Sequence, residues 1–203
     1  MNKNRLEAFS DGVLAIIITI MILEIKIPHS DDWAELHDLW PKFLSYIFSF
    51  TFVGIYWGNH HHLLHTVKRV SSGIIWSNMN LSFWLSLIPF ATGWMGETHF
   101  SQNTVITYAV LLMICGTSYY ILHKVIQANH KADENMKKMH ISQERKGLAS
   151  LVLYSLSIVF AFYNTAISGG GCLLLWLRCG SCRIGILSGC WRGSSEWNTR
   201  ASS

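Results

Sequence analysis

Arg5-Leu6-Glu7-Ala8-Phe9-Ser10-Asp11 leads into Gly12-Val13-Leu14-Ala15-Ile16-Ile17-Ile18-Thr19-Ile20-Met21-Ile22-Leu23, a run apolar enough to enter a bilayer. A charge near the middle of a membrane helix costs about 3 kcal/mol even on the lenient insertion scale. The serine and aspartate at the head of this run therefore need partners. Lys3 and Arg5 could be the basic region of a signal peptide, but Glu24, Lys26 and Pro28 follow the run with no small-x-small cleavage site. The sequence thus predicts a retained helix.

The remainder of the 203-residue chain has the same character. Half of it is hydrophobic and only 14% is charged, and its mean hydropathy is positive. That composition points to a membrane protein. Crossing a hydrocarbon core of about 30 Å takes roughly 20 apolar residues. Stretches of that length lie near 6–27, 41–63, 74–95, 104–126 and 148–167, with a sixth, broken one near 171–190. Between them fall the Pro28–Pro41 stretch, the Lys68–Gly73 turn, Gly93–Asn103, the charged run Asn129–Gly147 and Gly169-Gly170-Gly171. The expected fold is an all-α membrane protein of six transmembrane helices in a single domain over residues 1–203. The sequence leaves the sixth helix open.

Loop charge orients the spans. Lys3 and Arg5 precede the first, Lys68 and Arg69 separate the second from the third, and Lys131, Lys137, Lys138, Arg145 and Lys146 separate the fourth from the fifth. The alternate loops carry Asp31, Asp32, Glu35 and Asp38, or Glu97 with no Lys or Arg. By the positive-inside rule the protein is a multi-pass cell-membrane protein with both termini cytoplasmic. No aromatic-interleaved basic patch argues for nucleic acid, and no Gly-rich loop for phosphate.

On a helical wheel at about 100° per residue, Gly12, Ile16, Thr19, Ile20, Leu23 and Ile27 form one stripe, apolar except for a single hydroxyl. Asp11 lies roughly 140° from Ile16 on that wheel and points toward neighbouring helices. Periodicity alone does not make the stripe a pore lining, because an isoleucine-rich membrane helix meets lipid or protein on every side. Donors for Asp11 stand at the same level: the second span ends Tyr56-Trp57-Gly58-Asn59-His60-His61-His62, and the third begins Trp76-Ser77-Asn78-Met79-Asn80. Indole, amide and imidazole N–H groups suit a buried carboxylate, and such a network would hold three helices together.

Arg5-x-x-x-Phe9-Ser10-Asp11, followed by Trp57-x-Asn59-His60, Asn80-Leu81 and Pro89-Phe90, resembles prokaryotic members of the transmembrane protein 175 potassium-channel family over about residues 5–167. The resemblance implies four subunits around one pore lined by the first helix, a homotetramer in membrane lipid passing potassium ions. It implies a structural polar network of Arg5, Phe9, Ser10, Asp11, Trp57, Asn59, His60 and Asn80. By position after the aspartate, Ile16 is the main apolar constriction, Thr19 the hydroxyl ring one turn on and Leu23 the outer apolar ring, with Ile20 beside them. No carbonyl-lined Thr-Val-Gly-Tyr-Gly filter is implied, and none is present. The implied activity is potassium-permeable, weakly to moderately selective cation conduction gated by dewetting at that constriction. No cofactor is expected beyond the permeant ion. The Asp31–Asp38 loop is either an external mouth that concentrates cations or a solvated connector.

A different function is a proton channel or proton-coupled transporter that uses Asp11 and the His60–His62 cluster as a relay. Transporters of that kind generally show repeated halves around a mid-membrane site, whereas here both polar groups sit at one end. His61 and His65, one turn apart, invite a metal, but no third and fourth ligand stand nearby, and no metal site is expected. No Ser/His/Asp or metal-ligand constellation argues for an enzyme. Pro89 should kink the third span, and Asn129–Lys146 reads as a helical hairpin or extended helix ends. Past Ser168 the pattern changes: Gly169–Gly171, Cys172, Cys179, Cys182 and Cys190, with Arg178 and Arg183 inside the sixth stretch, make 169–203 an aberrant or divergent tail. With only Cys115 elsewhere, cysteine usage gives no disulfide framework.

Overall fold

The computed structural model describes residues 2–28, 31–67 and 69–129, without the side chain of residue 34. The expected fifth and sixth spans, the charged run from 130 on, Lys68 and the 169–203 tail lie outside the described residues. Six helices and no strand occur among the described residues: α1 (Lys3–Leu23), α2 (Trp33–Asp38), α3 (Trp40–His65), α4 (Ser72–Leu85), α5 (Ile88–Glu97) and α6 (Gln102–Asn129).

At about 1.5 Å per residue, the 21 residues of α1 span about 31 Å, one hydrocarbon thickness. Both α1 and α6 are long and apolar enough to cross a membrane. The first helix stops at Leu23 rather than running to 27. Pro28 disfavours helical backbone at Ile27, and the chain leaves the helix after Glu24. Ile27 is therefore lost from the helical stripe on which the sequence placed it.

The third predicted span is two helices. Pro89 has no N–H for the Leu85 carbonyl, so the ladder breaks over Ser86–Leu87, and α5 restarts with the proline in its first turn. The start of α4 is set by Ser71, whose Oγ accepts from the Ile74 N–H at 3.4 Å. A short α2, which the loop's composition does not announce, precedes α3.

Packing follows the buried faces. α4 lies on α6, α3 on α5, and α1 wedges against α3, α4 and α5. Leu6, Ser10, Leu14, Ile17 and Met21 recur every three or four residues as the inward face of α1. Phe52, Val53 and Tyr56 of α3, Leu81 and Leu85 of α4, and Leu112, Cys115 and Leu122 of α6 complete the core. In lipid the hydrophobic effect does not distinguish helix from solvent, so close packing and interhelical hydrogen bonds must supply the specificity. Tyr56 donates its OH to the Cys115 carbonyl at 2.6 Å, and Tyr119 donates to the Asn59 carbonyl at 3.3 Å, which tie α3 to α6.

Candidate functional site

The two faces of α1 separate cleanly. Its buried stripe turns into the subunit, while Gly12, Ile16, Thr19, Ile20 and Leu23 lie roughly 130° around the helix and are exposed. Ile16 is 58% and Leu23 80% exposed. The four residues named from the sequence for a pore thus share one outer face that no described helix of the same chain covers. Thr19 Oγ1 donates to the Ile16 carbonyl at 2.8 Å. This satisfies the hydroxyl proton within the helix and leaves the oxygen lone pairs free on the outer face.

The opposite flank anchors the helix. Trp57 Nε1 donates to Asp11 Oδ1 at 2.9 Å. A second chain runs beside it. His60 Nε2 is 2.7 Å from Asn78 Oδ1, Asn78 Nδ2 donates to Ser10 Oγ at 2.9 Å, and Ser10 Oγ donates to the Leu6 carbonyl at 3.0 Å. Because the Asn78 amide nitrogen is committed to Ser10, its oxygen must accept from His60, which places the imidazole proton on Nε2. The chain ends on a backbone carbonyl. Ser10, His60 and Asn78 are all buried, so three helices meet in one polar line, with the His60 Nδ1 alone in it left without a partner.

The sequence-derived network is only partly assembled here. Ser10 and His60 come together through Asn78 as their hub, and Asp11 and Trp57 as a separate pair beside them. Asn80 instead turns to α6, donating to Ser118 Oγ at 3.0 Å. Asn59 donates to the Ile55 carbonyl of its own helix at 2.8 Å. Arg5 and Phe9 are exposed, outside the network. The two asparagines of α4 stand about 200° apart on a wheel, and only Asn78 has the phase that faces α1. Residue type could not decide between them, and α4 is apolar on all sides, so its phase shows only in the burial of Ile74, Leu81 and Leu85.

At the other end of α1, a cavity of about 650 Å³ opens between α1, α3 and α5, with Glu24, Lys26, Lys42, Tyr46 and Trp94 among its walls. Lys42 and Glu97 close its edge as an ion pair at 2.5 Å. The Lys42 ammonium, bonded to the Glu97 carboxylate, holds that carboxyl below the usual range. A second buried hydroxyl cluster lies nearby: Ser49 Oγ is 2.6 Å from Thr92 Oγ1 and 2.9 Å from Tyr108 OH, joining α3, α5 and α6. No group of three or more metal-ligating side chains occurs among the described residues.

Comparison with known proteins gives this arrangement a context. Residues 5–89 match the family described as endosomal/lysosomal potassium channel TMEM175. The chain is 49% identical over 180 residues to a potassium channel of Chryseobacterium sp. (strain P1-3), covering 87% of this chain and 93% of that protein. A shorter match, 38% over 96 residues, joins 41% of this chain to 19% of the Homo sapiens endosomal/lysosomal proton channel TMEM175. The crystal structure of a lysosomal potassium-selective channel TMEM175 homolog from Chamaesiphon minutus superposes with a TM-score of 0.77 at 25% identity, covering 87% of this chain and 97% of that one. This chain belongs to the TMEM175 family of membrane channels.

Proposed function

We propose that the protein is a potassium-permeable cation channel in which four copies surround a pore lined by α1. The observation that carries this reading is the exposed stripe Ile16–Thr19–Ile20–Leu23, apolar with one hydroxyl and set opposite the face that α1 buries. A membrane helix that fixes its inner face so firmly and offers a single hydroxyl on the outer one suits a closed ring of like helices. The similarity to a bacterial potassium channel over 93% of that protein's length supports the same reading.

In the ring, four Ile16 side chains form an apolar neck that sheds water and closes the path. A modest outward tilt of α1 widens it. Thr19 oxygens then offer lone pairs to a partly dehydrated cation, and potassium gives up water more readily than sodium, so selectivity is real but modest. Both chain termini and the polar anchor are cytoplasmic in this arrangement, and the acidic Asp31–Asp38 loop lies at the outer mouth.

A proton-conducting reading draws on the name of the human relative. The geometry gives it little support. Asp11 lies off the exposed stripe, bound to an indole, and the His60–Asn78–Ser10 line ends on a carbonyl rather than at a second titratable group.

The test is ion flux from purified protein in liposomes under a potassium gradient, with Ile16→Asn beside the parent chain. A polar residue wets the neck, so potassium flux rises or selectivity falls. Flux unchanged by Ile16→Asn moves the pore off this stripe. A pH-sensitive dye in the same vesicles reads proton flux directly, and dominant proton current would favour the other reading.

A further inference from the structure

The α1–α3 contact is an antiparallel ladder with one rung unmade. At one end Lys3 Nζ donates to the His65 carbonyl at 2.9 Å; two turns on, Asp11 accepts from Trp57 at 2.9 Å. Each step covers eight residues on both helices, so the residues halfway between, in the same register, are Glu7 and His61. Helical neighbours four apart share a face, which brings this pair into the same interface as the made rungs.

Glu7 Oε1 and His61 Nδ1 are buried atoms with no hydrogen-bond partner. Glu7 has only a long ionic contact to Lys3 Nζ, at 3.9 Å. An unmade hydrogen bond between buried groups is costly, more so where one of them is charged. A neutral imidazole nitrogen bearing a lone pair offers the carboxylate nothing. Either the neutral tautomer with its proton on Nδ1 or the imidazolium can donate from that atom, and only the imidazolium adds a charge with which the Glu7 carboxylate can pair.

We propose that Glu7 and His61 form a proton-binding site between α1 and α3, in which a proton on the His61 ring completes the missing rung and clamps the two helices. The proton comes from solvent at the amino-terminal end of α1 and sits on Nδ1, shared with Glu7 Oε1; no other bond is made or broken.

On α1 the charged groups in register with this stretch of α3 are Glu7, Asp11 and Lys3. On α3 the neighbours of the His61 ring are Trp57, His62 and His65, the last stacked edge-on at 4.7 Å between ring centres. His60, which the carboxylates of Asp11 and Glu7 reach electrostatically, gives its Nε2 to Asn78 while its buried Nδ1 has no partner. α4 contributes that neutral amide, and α6 brings buried His123 one turn beyond Tyr119, which meets α3 at the Asn59 carbonyl. The inference stands on the helix pair and not on what the outer stripe conducts.

The test is a double-mutant cycle on the full chain in nanodiscs, with thermal unfolding read at about pH 8 and about pH 6, on either side of the ordinary histidine range. The variants are Glu7→Gln, His61→Gln and both together. The other histidines give every variant the same background. Wild type should gain about 2–4 °C over either single variant on going to acid, with no further loss in the double variant. Coupling of equal size at both pH values, or none at either, overturns the proposal. If a variant fails to fold, the imidazole NMR signal of His61 in wild type decides. It should shift with pH together with the Glu7 carboxylate carbon, and independent titration of the two overturns the pairing.

Discussion

Trp57 hands its only side-chain proton donor to Asp11 at 2.9 Å, so the aspartate at the head of α1 is held by an indole of α3 and not by a cation. An indole can donate but cannot take a proton, which makes the contact a strut. Interhelical hydrogen bonds in membranes are worth about 0.6 kcal/mol on average and up to about 1.7. Leaving a carboxylate unpaired raises the cost.

The first prediction is an ordering. Trp57→Phe removes the donor and the ring's edge, and lowers subunit stability by about 1–2 kcal/mol. Asp11→Asn keeps an oxygen that accepts the indole N–H, and costs less. Thermal unfolding in detergent, with size-exclusion chromatography, reads both. A relay through Asp11 would reverse the order in flux assays, with Asp11→Asn the more severe.

The second concerns the two asparagines of α4. Asn78 is fully buried and serves both His60 and Ser10. Asn78→Leu leaves the buried His60 ring without a partner, takes from Ser10 Oγ the bond it accepts, and costs about 2–3 kcal/mol. Asn80 is exposed and bonds Ser118 alone, so Asn80→Ala costs under about 1 kcal/mol. Equal destabilisation by the two would contradict the hub assigned to Asn78.

Some of this was legible in the sequence, for definite reasons. The stripe on α1 was readable because a single unbroken helix keeps a 3.6-residue phase from Gly12 to Leu23. Phase was lost wherever the helix ended, which is why Ile27 misled. Pro89 announced a kink, but the span breaks into two helices upstream at Ser86–Leu87, because proline strips the donor from a carbonyl four residues earlier. The polar anchor was readable as a set of residue types at one level. Its wiring was not, since choosing Asn78 over Asn80 needs the rotation of α4 against α1. The Lys3 bond to the His65 carbonyl was invisible, because any backbone carbonyl at a helix end can serve.

Gly96 supplies the third prediction. A Cβ there would stand 2.6 Å from Ser45 Oγ and 3.0 Å from Lys42 Cα, so α3 and α5 touch through this missing side chain. The Ser45 hydroxyl could rotate away, but the Lys42 backbone cannot. Gly96→Ala should therefore destabilise by about 1–3 kcal/mol despite the better helix propensity of alanine. Gly54→Ala, with open space at its Cβ, is the control within one subunit. A Gly96→Ala melting curve matching that control would mean that the helices are farther apart.

The pH dependence of the Lys42–Glu97 pair has a definite sign. Glu97 is held below the usual carboxylate range by the bonded ammonium of Lys42. A depressed carboxyl contributes stability that is present above its unfolded value and lost as pH falls through the folded one. The contribution is thus constant through neutral pH and disappears only below about pH 4. Exposure of Glu97 keeps it small. Lys42→Met should remove the acid-side loss attributable to Glu97 while leaving the neutral-to-alkaline profile parallel to wild type. A difference between the two that grows from about pH 6 to about pH 8 would assign the titration to another group.

Thr19 is the one oxygen on the exposed stripe, and its proton is already spent on the Ile16 carbonyl. If four such helices ring a pore, the threonine presents lone pairs to the ion and no proton, so it attracts a cation without a rotating dipole having to reorient. Thr19→Val keeps the branched shape and the apolar contacts and removes only that oxygen. The channel should therefore still conduct, since the proposed Ile16 neck is intact, while the potassium-to-sodium permeability ratio falls severalfold. Bi-ionic reversal potentials in planar bilayers measure the ratio, and the unitary current controls for a blocked or collapsed pore. A ratio unchanged in Thr19→Val would place discrimination elsewhere. In that case the apolar rings at Ile16 and Leu23 would have to select by dehydration cost alone, and widening them one at a time would show which does so.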